Sequence, residues 1–417
     1  MELKFLGGTM EVGRSALSVR SDHSQVLLDY GVLLGREPGF PMHVPPKEVD
    51  AIFLTHAHLD HCGAIPVFYI NGSMPLYGTR PTFEMARLLI ADFLRLSGYY
   101  LPFEYLELET MMSHAKSLDY GQEVKVGDMK ITQYDAGHIP GSSQILIEND
   151  GKRVLYTGDV NLVETRLTKG ADLSYGKVDT LIIEGTYANE DHPPRRETEI
   201  DFVEKVTEVV ENGGVVLVPA FAVGRSQEVL MVLVANNFKH MISMDGMALE
   251  VNDILMRNSK FIRDPKFLAE AIGQAKLIDG WKQRRKTVGK PGVIISPAGM
   301  LKGGASVFYM ERLAGVSSNA VYPVGYQVSG TPGRTLLDRH KYINRGRATD
   351  VMAKVEKFDF TSHSGKRELQ ELIKNASPKK IFVMHGAEES CTGMIKWIKD
   401  EIGIDAVAPQ AGETFKI

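Results

Sequence analysis

Between Thr55 and Cys62 the chain reads Thr55-His56-Ala57-His58-Leu59-Asp60-His61-Cys62, three histidines and an aspartate within six residues. Only 12 histidines occur in the whole sequence, so this crowding is not the scatter of a solvated loop. Residues two apart on an extended segment project to one side, which lets His56 and His58 share one metal ion. Asp60 and His61 follow on the loop and can reach a second. Imidazole and carboxylate donors together suit zinc, or another borderline divalent metal such as manganese. Three later positions extend the donor set: His138 after Asp135-Ala136-Gly137, Asp159 after Tyr156-Thr157-Gly158, and His385 after Val383-Met384.

These residues need strands to carry them. Leu3–Leu6, Ala16–Arg20, Gln25–Asp29 and Ala51–Thr55 read as β-type runs broken by Gly, Ser and Pro. Met129–Tyr134, Gln144–Ile147, Val154–Thr157 and Thr180–Glu184 read as further strands, and the last two end at or just before an acidic residue. Pro81–Leu96 has the apolar spacing of a helix, through Phe83, Ala86, Leu89 and Ile90. Past a linker-like Asp191–Arg196 the texture changes. Glu197–Asn212 reads as a helix, Val215–Pro219 as a buried strand and Gly224–Ala235 as a helix, and this β/α alternation continues to about Gly330. Lys354–Phe360 then reads as a strand, Lys366–Asn375 as a helix, Lys380–Met384 as a strand and Glu389–Glu401 as a helix. The pattern is one domain interrupted by another: 1–193 and 352–417 form the first, 194–351 the insert.

Composition bounds the rest. The 417 residues are 43% hydrophobic and 24% charged, so the chain is long enough for two or three domains and needs no disulfide staples. Two cysteines, Cys62 and Cys391, exclude a disulfide framework and point to a reducing compartment. No apolar run approaches the ~20 residues of a membrane span, and the N-terminus lacks the regions of a signal peptide. A cytoplasmic protein without a membrane partner is expected. Net charge is −4, but residues 194–351 carry 22 Lys and Arg against 16 Asp and Glu, a balance of +6, while the remainder balances at −10. Such asymmetry hints at an acidic partner for the insert.

The His56–His61 cluster, Gly137-His138, Thr157-Gly158-Asp159 and His385-Gly386 resemble the metal motifs of the metallo-β-lactamase fold, and Val26–Gly31 resembles its first motif, where Asp29 would support the metal loop. Ile183-Glu184-Gly185-Thr186-Tyr187 resembles motif A of the β-CASP nucleases, Thr361–Gly365 resembles motif B, and His385 stands where motif C carries its histidine. Pro219–Glu228, Asp245–Met247, Ser296–Leu301 and Gly325–Gly330 resemble β-CASP signatures. Gly7–Arg14 resembles the opening of the cleavage-and-polyadenylation specificity factor branch, and an RNase J-like enzyme is the neighbouring possibility. The resemblance implies an α/β chain: a metallo-β-lactamase αβ/βα sandwich with an inserted β-CASP α/β domain. Two departures stand out. Gly365 occupies the place where motif B usually carries an acidic residue. The sequence also opens on the lactamase-like segment, without the N-terminal KH domains of some archaeal relatives, so sequence-specific RNA reading is not implied.

Carried over by position, the resemblance implies a zinc-dependent ribonuclease with two Zn2+ ions, Mn2+ being the other choice. His56, His58 and His138 would hold one ion, Asp60, His61 and His385 the other, and Asp159 would bridge them. Asp60 would also belong to the catalytic set. Two such ions can activate a water and clamp a phosphodiester, and a general acid must then protonate the leaving oxygen. His363 is the candidate acid, since a histidine can donate near neutral pH, and Glu184 would accept a hydrogen bond from its other nitrogen.

Single-stranded RNA is the implied partner, and a homodimer is an assembly to test. For phosphate contacts the densest basic run is Lys282-Gln283-Arg284-Arg285-Lys286, beside Trp281. Ser329, Gly330 and Arg334 form a second candidate, through backbone amides and a guanidinium. A DNA nuclease of the same superfamily is disfavoured by His385, because DNA-directed members tend to carry valine there. A non-catalytic RNA-binding processing subunit is disfavoured because no ligand position is lost. Endonucleolytic and 5′→3′ exonucleolytic action are left open.

Overall fold

Residues 1–35, 37–97, 101–328 and 330–417 are described by the structure, a computed structural model. The chain divides into two compact units, one of Met1–Glu164, Thr168–Asp191 and Ser362–Ile417, the other of Thr165–Leu167 and His192–Thr361.

The first unit holds two seven-stranded sheets. One places Glu2–Gly7, Ala16–Arg20, Gln25–Leu28 and Ala51–Phe53 side by side, the other Lys380–Met384, Thr180–Glu184, Lys152–Tyr156, Ser143–Asn149 and Met129–Asp135. Alternate residues of both sheets bury a shared core, with Phe5, Val26, Leu28 and Phe53 from one against Ile145, Val154, Tyr156, Ile182 and Phe382 from the other. The outer face of the second sheet is covered by the helix Lys366–Ala376. Its apolar Leu369, Leu372, Ile373 and Ala376 recur at helical spacing and pack on Leu155, Leu181, Ile183 and Ile381.

Strand direction positions the site. Lys152–Tyr156, Thr180–Glu184 and Lys380–Met384 are mutually parallel and in register, so Asp159, Glu184 and His385 emerge at the same sheet edge. Gln25–Leu28 and Ala51–Phe53 are also parallel, which delivers Asp29 beside Thr55.

The second unit is built on a six-stranded sheet in the order Lys276–Ile278, Ile242–Asp245, Gly292–Ser296, Val215–Pro219, Ala320–Val321 and Lys354–Val355. Every neighbouring pair is parallel, as the β/α alternation requires. The strand read over Lys354–Phe360 pairs only through Val355. Beyond it the apolar residues are anchors rather than strand positions: Phe358 and Phe360 each meet Phe202 edge-on at 5.1 Å. The segment Thr165–Leu167 is held by carboxylates of this unit. Glu228 accepts the backbone N–H groups of Arg166 (2.9 Å) and Leu167 (2.8 Å), and Arg166 pairs with Glu199. Among the described residues no helix is long and apolar enough to cross a membrane. Cys62 and Cys391 are free and buried.

Candidate metal centre

The donor atoms form two clusters. One comprises His56, His58, His138 and Asp159, the other Asp60, His61 and His385, with ligand atoms in each within 4.8 Å of one another. His58 Nδ1 lies 3.2 Å from His56 Nε2 and 3.1 Å from His138 Nε2. In the second cluster His385 Nε2 is 3.3 Å from His61 Nε2 and 3.3 Å from Asp60 Oδ2. Asp159 divides its oxygens between them: Oδ2 faces His56 (3.4 Å) and His138 (3.7 Å), and Oδ1 faces His61 (3.3 Å) and His385 (3.3 Å). All seven sequence-predicted donors therefore meet in one place.

This arrangement fits a pair of divalent cations. Ring nitrogens this close to each other gain nothing unless a cation or proton lies between them. In His61 and His138 the opposite nitrogen is meanwhile tied to an oxygen acceptor. His61 Nδ1 donates to Asp29 Oδ2 at 2.8 Å, and His138 Nδ1 donates to the Ser362 carbonyl at 2.8 Å. Such outer partners fix the tautomer and aim the remaining lone pair inward.

Protonation follows the same logic. Burial and the neighbouring imidazoles hold His56 and His138 well below the usual histidine range, and burial brings His58 down to about 4. Neutral imidazoles are what a metal requires. Burial opposes the charged form of Asp159 as well, but His385 and His61 outweigh it and keep the carboxylate ionised. For His61, burial is outweighed by Asp159 and Asp29, which raise it. A cation bound there displaces protons.

Local structure explains how the histidine motif is held. Its strand ends at Phe53, and Asp29 then accepts both the Thr55 backbone N–H and the Thr55 hydroxyl at 2.8 Å each. Tyr156 donates its hydroxyl to the same carboxylate at 3.1 Å. Asp29 and His385 both adopt positive φ, 58° and 51°. That conformation costs an L-residue roughly 1–2 kcal/mol, and it is retained at sites that need it. Gly31 lets the loop close, since a Cβ there would meet the Asp60 carbonyl oxygen at 1.8 Å.

His363 sits beside the first cluster. Its Nδ1 donates to Glu184, 2.9 and 3.0 Å from the two oxygens. Its Nε2 faces Asp159 Oδ2 at 3.9 Å, and its ring lies 4.5 Å from that of His138. Gly365 caps the helix Lys366–Ala376, so no carboxylate enters from that position.

The proposed RNA residues are a separate matter. Lys282, Arg285 and Lys286 are exposed on the helix Gly280–Thr287. Arg284 is not available as a phosphate ligand: Nε and Nη2 grip the fully buried Asp245 at 2.7 and 2.9 Å. Arg334 pairs with Asp338 at 2.9 Å at the surface, Gly330 turns with φ of 79°, and Ser329 lies outside the described residues. Thr55, Ser362, Tyr156 and Gly31 were not singled out from sequence. Thr55 and Ser362 precede site histidines, but only the folded chain reveals what they bond.

Comparison with known proteins gives three segments in order. Residues 19–185 match the metallo-beta-lactamase superfamily domain, 226–336 the Beta-Casp domain, and 349–409 the Zn-dependent metallo-hydrolase RNA specificity domain. The chain is 40% identical to RNase aCSPSF2 of Saccharolobus solfataricus, over all of this chain and 85% of that one. It is 36% identical to the probable RNase MJ4 of Methanocaldococcus jannaschii over the full length of both. It is 34% identical to the transcription termination factor FttA of that organism, over 94% of this chain and 68% of the relative. A crystal structure of a protein of unknown function from Enterococcus faecalis V583 shares the fold, with a TM-score of 0.62 at 15% identity over 99% of each chain. With full-length identity at this level and all three segments in sequence, the chain belongs to the β-CASP family of metallo-β-lactamase-fold hydrolases, in its archaeal cleavage-and-polyadenylation specificity factor-like ribonuclease branch.

Proposed function

We propose that this protein hydrolyses RNA phosphodiester bonds in RNA processing or decay, as a cytoplasmic enzyme with two zinc ions as its resident metals. The supporting observation is that the His363–Glu184 pair faces Asp159, the carboxylate shared between the two donor clusters. His56, His58 and His138 would hold one ion, and Asp60, His61 and His385 the other, with Asp159 between them. When bound, the cations supply Lewis-acid activation of water and offset charge on the phosphodiester. The chain's own groups do the rest. Asp29 and the Ser362 carbonyl keep His61 and His138 in the ligating tautomer. Glu184 accepts a hydrogen bond from Nδ1–H of His363, so Nε2 is the nitrogen that carries a proton to the leaving oxygen.

The test is digestion of a 5′-labelled RNA with monophosphate or triphosphate ends, beside DNA of the same sequence. Internal products from either RNA indicate endonucleolytic cutting. Stepwise release from the monophosphate end alone indicates 5′→3′ action. Cutting of DNA in preference to RNA sinks the proposal. The purified protein should carry about two divalent ions per chain, the complement of one dinuclear donor set, and strong chelators should abolish cleavage. Undiminished cleavage in chelator by metal-free protein rules out the metal assignment.

Binding should weaken with salt. Replacing Lys282, Arg285 and Lys286 by glutamine should lower the slope of log affinity against log salt by ~0.7 for each phosphate no longer neutralised. An unchanged slope assigns this run to plain surface. Arg284→Gln should instead lower the melting temperature, since it strands the buried Asp245.

A further inference from the structure

Trp281 is 58% exposed, yet two anchored side chains contact its ring. The Arg284 guanidinium lies 5.0 Å from its ring centroid, and Phe308 meets it edge-on at 5.3 Å and 73°. Neither support is loose. Arg284 is fixed bidentately to Asp245, which also accepts the Tyr309 hydroxyl at 2.6 Å. Phe308 is backed by Arg312, 3.8 Å from its centroid. A buried carboxylate, a tyrosine and two arginines thus hold one large aromatic ring in place while leaving more than half of it in water. A tryptophan kept only for packing would gain from burial.

The surroundings say what the free face suits. Arg285 stands four residues on, a neighbour on the same helical face, and Lys282 and Lys286 are exposed on the same short helix. An immobilised π surface flanked by cations matches an unpaired nucleobase with its phosphates, the combination by which single strands are held without sequence preference. We propose that Trp281 is a base-stacking platform for single-stranded RNA, with Arg284 as the positioning residue beneath it and Arg285 beside it for the adjoining phosphate. The platform rests on the ribonuclease reading for its choice of RNA, and it adds a hold on a base where the basic run alone offers holds on phosphate.

The two proposals separate experimentally, because the test of the platform is binding and needs no cleavage. A fluorescein-labelled 2′-O-methyl uridine 20-mer would be titrated by anisotropy with the metal-loaded protein and its Trp281→Ala and Trp281→Phe variants. Trp281→Ala should weaken affinity about 5- to 100-fold, the range for one base stack removed, with the salt slope unchanged, because every phosphate-binding cation is still present. Trp281→Phe should retain most of the affinity. Unlabelled 20-mer should quench part of the intrinsic fluorescence of the wild type and none of that of Trp281→Phe, in which Trp397 is the remaining tryptophan. Equal affinity of wild type and Trp281→Ala overturns the platform, as does equal quenching of wild type by polyglutamate, which would mark the surface as one for acidic proteins. If the platform is seen but neither RNA nor DNA is cut, the ribonuclease reading fails while this one stands.

Discussion

His363→Ala should keep both metal ions and bind RNA normally while cleaving ~10²–10⁴-fold more slowly, the usual cost of removing a general acid. The geometry separates this residue from the ligands. Its Nδ1 donates to Glu184, and its Nε2 stands off Asp159 at 3.9 Å, against 3.3–3.7 Å for His56, His61, His138 and His385. Its side chain is 17% exposed, more than His56, His61, His138 and His385 at 0–4%, while the donors Asp60, at 27%, and His58 are partly exposed as well. A proton donor must reach the substrate, and a ligand need not. The rate loss should shrink on a substrate with a good leaving group, which departs without a proton. The competing reading is specific: Asp159, Glu184 and His363 can themselves bring three ligand atoms together. Metal analysis and single-turnover rates decide between them. Release of an ion from His363→Ala, or wild-type cleavage of ordinary RNA by it, removes the acid assignment.

His385→Ala should have the larger effect and a different signature: no detectable cleavage, and about one bound ion in place of two. Its Nε2 closes the second cluster against Asp60 and His61, both at 3.3 Å. With this imidazole gone, that cluster retains one imidazole and one carboxylate besides its share of Asp159. Thr186 meets the Nδ1 side at 3.3 Å and would lose its partner there. The backbone complicates the alanine variant, since position 385 has φ of 51° with its N–H on the Gly8 carbonyl at 2.6 Å. Asparagine tolerates that conformation far better than most residues. His385→Asn therefore tests ligand loss without backbone strain, and it should lose the same ion. Full metal content with normal cleavage in His385→Asn would place this histidine outside the centre.

Much of this site was legible in the chain because each donor follows its strand by a few residues. An apolar run ending in Phe53 and then Thr55-His56, or in Tyr156 and then Gly158-Asp159, declares both the element and the ligand it delivers. The strand boundaries at Ala16–Arg20, Thr180–Glu184, Val215–Pro219 and Lys380–Met384 agree with the structure, since alternation and flanking turn residues are local signals. Lys354–Phe360 misled because aromatic residues that anchor on Phe202 look, one at a time, like the buried face of a strand.

Residue types and spacing alone pointed to divalent-metal donors that follow strand ends and to a change of texture past Asp191, whereas His363 and Glu184 joined the donors only through the resemblance of their motifs to those of the β-CASP nucleases. Tertiary structure decided what those groups bond. Parallel register brings Asp159, Glu184 and His385 to one edge, although 25 residues separate the first two and about 200 the last two. It also turns the Ser362 carbonyl onto His138 and pulls Arg284 out of a run of four cations to neutralise a buried aspartate 39 residues away. The physical reason is range. Propensity and periodicity act over a few residues, whereas hydrogen-bond partners and burial depend on where distant segments are brought by folding, and identical charges in one run acquire different roles only there.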